Sequence, residues 1–323
     1  MNSAEIRDPS ESVQPGTLRL LLILGAGILT FSFSPILVRF APDTDATTLA
    51  SLRTILAVLF LFPFWFRKRT SLTELDRRGV RPAWLMFAGA CLGIHFSLWI
   101  ASVQFTLVAS ASVLVTIHPI ILILFERFLF RRNFPGWVWA GVLTALGGSI
   151  LLGLTDHAGN ETFPHALLGN SFAVGAAIIF AIYFLLGRKA RQHTSWIDYV
   201  FYVYATAAAV TTVITLVLSG GIPEVSRQAL LVAVLLAAGP TILGHGSMNF
   251  AVKYVSPTLL STLILSEAVF AAWIAFFLFD EIPSTGSFVA MVIIFVGIAL
   301  TWSGRSKRTD HGKRTDHGKQ TGH

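Results

Sequence analysis

The chain has 323 residues, of which 54% are hydrophobic and only 13% charged, with a formal net charge of +7 and a mean hydropathy of +0.69. A soluble domain carries roughly twice that charged fraction. A soluble fold is therefore excluded, and the apolar residues instead come in blocks of about 18–24, each able to cross a hydrocarbon core of about 30 Å as a helix. The basic residues lie at alternate ends of these blocks and in the C-terminal tail rather than on one face, which argues against nucleic acid as a partner, and the single cysteine, Cys91, lies inside an apolar block and leaves no disulfide framework or cysteine metal site.

Residues 1–17 form a polar N-terminal tail. Ten apolar spans follow, at about 18–40, 49–66, 84–102, 107–130, 136–154, 165–187, 196–218, 229–251, 257–279 and 286–303. The first is too long for a removable signal peptide and lacks its cleavage-site pattern, so it is expected to stay as a helix. The segments 41–48, 155–165 and 280–286 are acidic or neutral and rich in turn residues, and none is long enough to hold a soluble catalytic domain. Residues 304–323 repeat the hexamer KRTDHG and read as a disordered basic tail within reach of anionic headgroups.

Lysine and arginine set the orientation. With the N-terminus inside, the inner segments hold 21 of the 24 Lys and Arg residues; only Arg39 and Arg227 fall outside, and Arg53 lies within a span. Both termini are expected to be cytoplasmic, in a bacterial-type inner (plasma) membrane.

The second half repeats the first. Residues 107–152 slide onto residues 256–301 at a constant offset of 149, with Gly148 on Gly297, His118 on Glu267, and the basic pair Arg131–Arg132 on the acidic pair Asp280–Glu281. Five spans per copy, an odd number, turn the second copy upside down, so a loop that is inside in one copy is outside in the other and its charge changes sign. The expected architecture is an all-α integral membrane protein of ten transmembrane helices arranged as two inverted five-helix repeats. The first repeat covers 18–154 and the second 165–303, with an outer linker at 155–164.

Several stretches resemble the EamA-type transporters of the drug/metabolite transporter superfamily. They are FSFSPILVRFAP (31–42), ASLRTI (50–55), ASASVLVTIHPIILILFERFLF (109–130), FAIYFLLGRKAR (180–191), SPTLLSTLILSEAVFAAWIAFFLFDEIP (256–283) and FVGIAL (295–300). The resemblance covers about residues 18–303 and rests on these pieces in order rather than on one strong motif. It implies ten helices, transport of a small metabolite and a bias towards export. Two departures stand out: the family's usual Gly–Glu pair after span 4 is Arg131–Arg132 here, and its common glutamate at position 118 is a histidine, so that only Glu267 keeps the family acid.

Ionisable groups inside spans are costly to bury, which makes them functional candidates. His118 and Glu267 lie near the centres of spans 4 and 9. If a pseudo-dyad relates the halves, they meet near the midplane, where inverted-repeat carriers bind substrate. A carboxyl facing a histidine there could exchange a proton as the cavity alternates; the alternative is a closed His–Glu hydrogen bond holding the helices together. His95 and His245 form a second pair at offset 150, one turn before Trp99 and Asn249. Each is either a cavity residue or a histidine satisfied by a hydroxyl or a carbonyl. Arg53, about one turn inside the outer end of span 2, either snorkels, pairs with Asp43 or Asp45, or attracts a substrate carboxylate or phosphate. It has no basic counterpart in the second copy, which counts against a strongly anionic substrate.

Trp99, Tyr183 and Trp273 are expected in the cavity. Pro119 and Gly239–Pro240 should interrupt their helices, freeing carbonyls beside a cavity or supplying bending points, whereas Pro35 should give a plain kink. Gly89, Gly93 and Gly147–Gly148 suit close helix packing.

These features converge on a secondary carrier, an exporter of a small organic metabolite such as an amino acid, working by alternating access with proton coupling through Glu267. The expected partners are the bilayer, the solute and a coupling proton; no cofactor, metal or catalytic residue is expected, and the chain should act as a monomer or weak homodimer. The alternatives are an antiporter or importer of another polar solute, and an intramembrane lipid-modifying enzyme. That enzyme would need a nucleophile–base set or paired acids at one depth, for which only His118 and Glu267 present themselves.

Overall fold

The computed structural model describes residues 15–106, 108–155, 164–279 and 284–317. Most of the expected N-terminal tail, residues 156–163 of the outer linker, the Asp280–Glu281 pair and the last six residues lie outside the described residues. Within a hydrocarbon layer every backbone N–H and C=O must find its partner inside the segment, so the long apolar runs become helices. They are α1 (Thr17–Arg39), α2 (Ala46–Lys68), α3 (Pro82–Phe105), α4 (Ala111–Phe130), α6 (Ala166–Arg191), α7 (Trp196–Ser219), α8 (Arg227–Ala251) and α9 (Pro257–Leu278), with α5 (Gly136–Thr155) and α10 (Thr285–His317).

Among the described residues, nine of these are long and apolar enough to cross a membrane, and α5 contributes a shorter apolar stretch, Gly136–Leu152. Large apolar side chains such as Leu22, Phe64, Phe128, Val217 and Val292 point outward from the bundle, as a lipid-facing surface requires. The backbone of α10 continues as helix to His317, past residue 304 where the sequence reading expects disorder. No proline interrupts that stretch, and its two glycines, Gly304 and Gly312, each cost a helix only about 1 kcal/mol.

The two halves pack by two-fold exchange. Helix α2 packs on its mate α7, and α5 on its mate α10; α3 packs on α6, and the corresponding pair α8 packs on α1. The α5–α10 contact shows the exchange in detail. A Cβ on Gly148 would lie 2.8 Å from the Ile294 nitrogen, and one on Gly297 would lie 2.6 Å from the Ala145 Cα. The offset of 149 that carries 148 to 297 also carries 145 to 294, so each contact is the image of the other. Both glycines are needed because backbone meets backbone there, leaving no room for a side chain.

Four helices are broken, and the breaks converge on the middle of the bundle. Helix α1 divides at Phe33 into Thr17–Ser32 and Ser34–Arg39, with Pro35 at the start of the second piece. Helix α4 turns at Thr116–Ile117 and restarts as His118–Phe130, with Pro119 in its first turn. Helix α9 runs Pro257–Ile264, turns at Leu265, and restarts at Ser266. The α4 and α9 breaks are again related by the offset of 149, although only α4 has a proline at its break. Helix α8 winds as a π-helix over Ala237–His245, with Pro240 inside it. Proline has no N–H to donate, and the wider turn accommodates that gap.

Candidate functional site

The breaks surround a cavity of about 80 Å³ between the two repeats. Its walls come from α1 (Phe31, Ser34, Pro35), α2 (Arg53), α3 (His95, Phe96, Trp99), α4 (Ser112, Val115, Thr116, His118), α6 (Phe180), α8 (His245) and α9 (Ile264, Glu267, Ala268, Ala271). Of the nine residues that the sequence marks as substrate or coupling candidates, the fold brings six to this cavity: Arg53, His95, Trp99, His118, His245 and Glu267. Broken helices put them there. His118 opens the second piece of α4, and Glu267 sits in the first turn of the second piece of α9.

The histidines are held by backbone and rings. His95 Nδ1 lies 2.9 Å from the Ala176 carbonyl, and His118 Nδ1 lies 2.9 Å from the Val115 carbonyl. A carbonyl can only accept, so each Nδ1 carries the proton, and in a neutral ring the lone pair falls on Nε2. His118 Nε2 is buried and has no hydrogen-bond partner among the described residues. His95 and His245, the pair at offset 150, face each other with ring centroids 6.1 Å apart. Phe31 and Phe96 stand edge-on to His245 at 4.8 and 4.9 Å, so equivalent residues of the two repeats share one aromatic cage.

His118 and Glu267 reach the same cavity but form no hydrogen bond or ion pair with each other; the His118 ring is held from its own helix, three residues back. The reading of this pair as interhelical glue is therefore corrected. The Glu267 backbone carbonyl accepts from Ser32 Oγ at 3.0 Å, which ties the α9 break to α1 and leaves the carboxyl to the cavity. Arg53 pairs with neither Asp43 nor Asp45. It is 1% exposed, its Nε donates to Thr241 Oγ1 at 3.0 Å, and its guanidinium stacks over Phe96 at 4.0 Å. About two helical turns inside the start of α2 at Ala46 is too deep for the side chain to turn back, and the π-helical turn of α8 presents Thr241 to it.

Three candidates lie elsewhere. Trp273 is exposed on the outer side of α9, against Phe276, Phe277 and Phe288. At 100° per residue it points about 200° away from the cavity-lining Ala271, the direction of lipid rather than of the site. Tyr183 and Asn249 lie one turn beyond Phe180 and His245, and bind each other, Tyr183 Oη donating to Asn249 Oδ1 at 2.7 Å. Arg191 Nε donates to the Asn249 carbonyl at 2.9 Å and its Nη1 to the Thr194 carbonyl. This layer belongs to the packed end below the cavity. Gly239 and Pro240 form the π-helical segment but do not line the cavity, whereas Pro35, expected to be a plain kink, is one of its walls.

The packed end has a centre that the sequence reading passes over. Glu126, 1% exposed near the end of α4, pairs with Arg132 at 2.5 Å and Arg188 at 3.7 Å. It also accepts from the Thr258 backbone N–H at 3.2 Å and from its hydroxyl at 3.3 Å. One carboxylate thus joins α4, α6 and the first turn of α9, about 12–14 Å along each helix from His118, Phe180 and Glu267. The available clue was a lone acid among the basic residues that end span 4. Its equivalent at offset 149 is Ala275, so the second copy has no acid at that position.

Comparison with known proteins agrees with this architecture. The sequence model of the EamA-like transporter family matches twice, over residues 17–154 and 167–303. The pseudopaline exporter CntI of Pseudomonas aeruginosa is 25% identical over 287 residues, covering 87% of this chain and 95% of that one. An uncharacterized transporter of Bacillus subtilis, YdfC, is 22% identical over 192 residues, 59% of this chain and 61% of that one. A protein crystal structure superposes with a TM-score of 0.71 at 19% identity, over 88% of this chain and 96% of that one, which establishes the shared fold.

Proposed function

The chain belongs to the EamA-like transporter family, and from that premise we propose that this membrane transporter exports a small organic metabolite, an amino acid or similar solute, by alternating access. The observation that carries the proposal is a solute-sized, partly open cavity between two inverted repeats, lined by broken helices and reached by the Glu267 carboxyl, which has no hydrogen bond or ion pair among the described residues. Inverted-repeat carriers rock one repeat against the other around such a site. Export follows the name of the relative from Pseudomonas aeruginosa.

With 21 of 24 Lys and Arg residues on one face, both termini are assigned to the cytoplasm of a bacterial-type inner membrane. On that assignment the cavity walls on α1, α2, α3 and α4 lie in the outer half of each helix, and the Glu126 cluster closes the cytoplasmic end. The conformation is then outward-facing. Coupling is assigned to Glu267: a carboxyl that reaches a cavity alternately open to two sides can take a proton from one and release it to the other.

The test is transport by the reconstituted full chain, with a cargo found by screening overexpressing cells for resistance to amino acids and metabolite analogues. Wild type should show both counterflow and pH-driven flux, and Glu267→Gln should lose the pH-driven component over and above any fall in counterflow. If neither changes, Glu267 is not the coupling group.

A further inference from the structure

Among the side chains that line the cavity, Arg53 alone carries a permanent positive charge, and among the described residues it has no acidic partner within 4.0 Å. Its Nε is committed to Thr241 and one face of its plane to Phe96, which fixes the guanidinium while engaging neither terminal nitrogen. A buried cation without a counter-charge is expensive in a low-dielectric layer. A fold that keeps one so rigidly at the wall of a solute-sized cavity has built half of an ion pair. The terminal edge of a guanidinium presents parallel N–H groups that match the two oxygens of a carboxylate.

The rest of the cavity completes the description of the solute. Glu267 lines it too, more than 4.0 Å from Arg53, with no hydrogen bond on its carboxyl among the described residues. His118 offers the acceptor Nε2. These groups call for hydrogen-bond donors on the part of the solute away from its acid. A phosphate, at about −1.5 to −2 charges, would exceed the single cation and face Glu267 as well, whereas a carboxylate balances it.

We propose that the transported solute carries a carboxylate bound by Arg53 and a donor group, such as an ammonium, directed to Glu267 and His118. The inference rests on the carrier reading above and names the chemistry of its substrate.

The test uses proteoliposomes of the full chain and protein-free liposomes, incubated with a low-molecular-mass extract of the expressing cells under pH gradients of either sign. The contents are then read by mass spectrometry. The solutes enriched by the protein should all bear a carboxylate, and their methyl esters and decarboxylated amines should not be taken up. Arg53→Gln should lower uptake of each acid about 10- to 100-fold, the worth of a charged hydrogen bond, with Arg53→Lys lying between. Enrichment of no solute at all overturns the carrier reading and this inference with it. Enrichment of solutes without a carboxylate, uptake of acid and ester alike, or unchanged uptake by a folded Arg53→Gln variant overturns this inference alone. Should Arg53→Gln fail to fold, the acid–ester comparison is made on wild type and still decides.

Discussion

Replacing Glu126 with glutamine tests whether the packed end of the bundle is a closed gate. The carboxylate is 1% exposed and holds four groups: Arg132 just past the end of α4, Arg188 on α6, and the backbone and hydroxyl of Thr258 on α9. Glutamine keeps the shape and one acceptor but loses the charge. The arginine side chains are 41% and 32% exposed, so each pair is discounted to about 1 kcal/mol or less. The buried contact to Thr258 adds about 1 kcal/mol or more. A loss of about 1.5–3 kcal/mol from the closed end shifts its ratio to the open form about 10- to 100-fold.

A cysteine placed at Ser112, on the cavity wall, reports this shift through its reaction with a membrane-impermeant maleimide in vesicles of known sidedness. Labelling from the face that bears Glu126 should be slow in the parent and faster by that factor in Glu126→Gln. If labelling from that face is no faster while thermal stability falls, Glu126 merely fastens the helices, and the assignment of the closed end is refuted.

The single cysteine, Cys91, is 3% exposed, so a thiol-reactive fluorophore should stay dark on the folded protein and report its unfolding temperature directly. On that readout, Gly297→Val should destabilise by about 1–3 kcal/mol or more, because the added carbons meet the Ala145 backbone, which cannot yield. A Cβ on neighbouring Gly147 meets nothing within 4 Å, and Gly147→Ala should not destabilise but be neutral to stabilising by up to about 1 kcal/mol. Thr241→Val removes the acceptor for Arg53 Nε and should cost about 1–3 kcal/mol, the penalty for a buried donor left unpaired. Trp273→Ala should leave solute affinity unchanged and Trp99→Ala should alter it, as measured by concentration dependence of uptake, because only Trp99 lines the cavity.

How far the site was legible depended on the distance over which each residue acts. Membrane-buried charge is rare enough to be conspicuous, so Glu267, His118, His95, His245 and Arg53 could be picked from the chain, and offsets of 149 and 150 paired His118 with Glu267 and His95 with His245 before any coordinates, leaving Arg53 unmatched. What each side chain does after burial is set by neighbours far away in sequence. Arg53 is held by Thr241 and Phe96 rather than by the nearby Asp43 or Asp45. Trp273 was misplaced because composition marks an aromatic residue but not its azimuth, and the break at Leu265 sets the azimuth of everything after it. Glu126 was hidden because an acid beside three arginines at a helix end looks like a solvated cluster; only the arrival of α9 buries it.

The chain by itself determined that this is a membrane protein of ten spans in two inverted copies. Those properties follow from hydrocarbon thickness, the need of every buried backbone group for a local partner, and the charge of short loops, all of which act within one span or its flanks. Tertiary structure alone decided that residues beside the breaks in α1, α4, α8 and α9 line one cavity. It also decided that Glu267 and His118 share a cavity without bonding, and that Glu126 ties three helices at one end. These depend on where helices distant in sequence touch, and in lipid that is set by close packing of small residues such as Gly148 against Ile294 and Gly297 against Ala145.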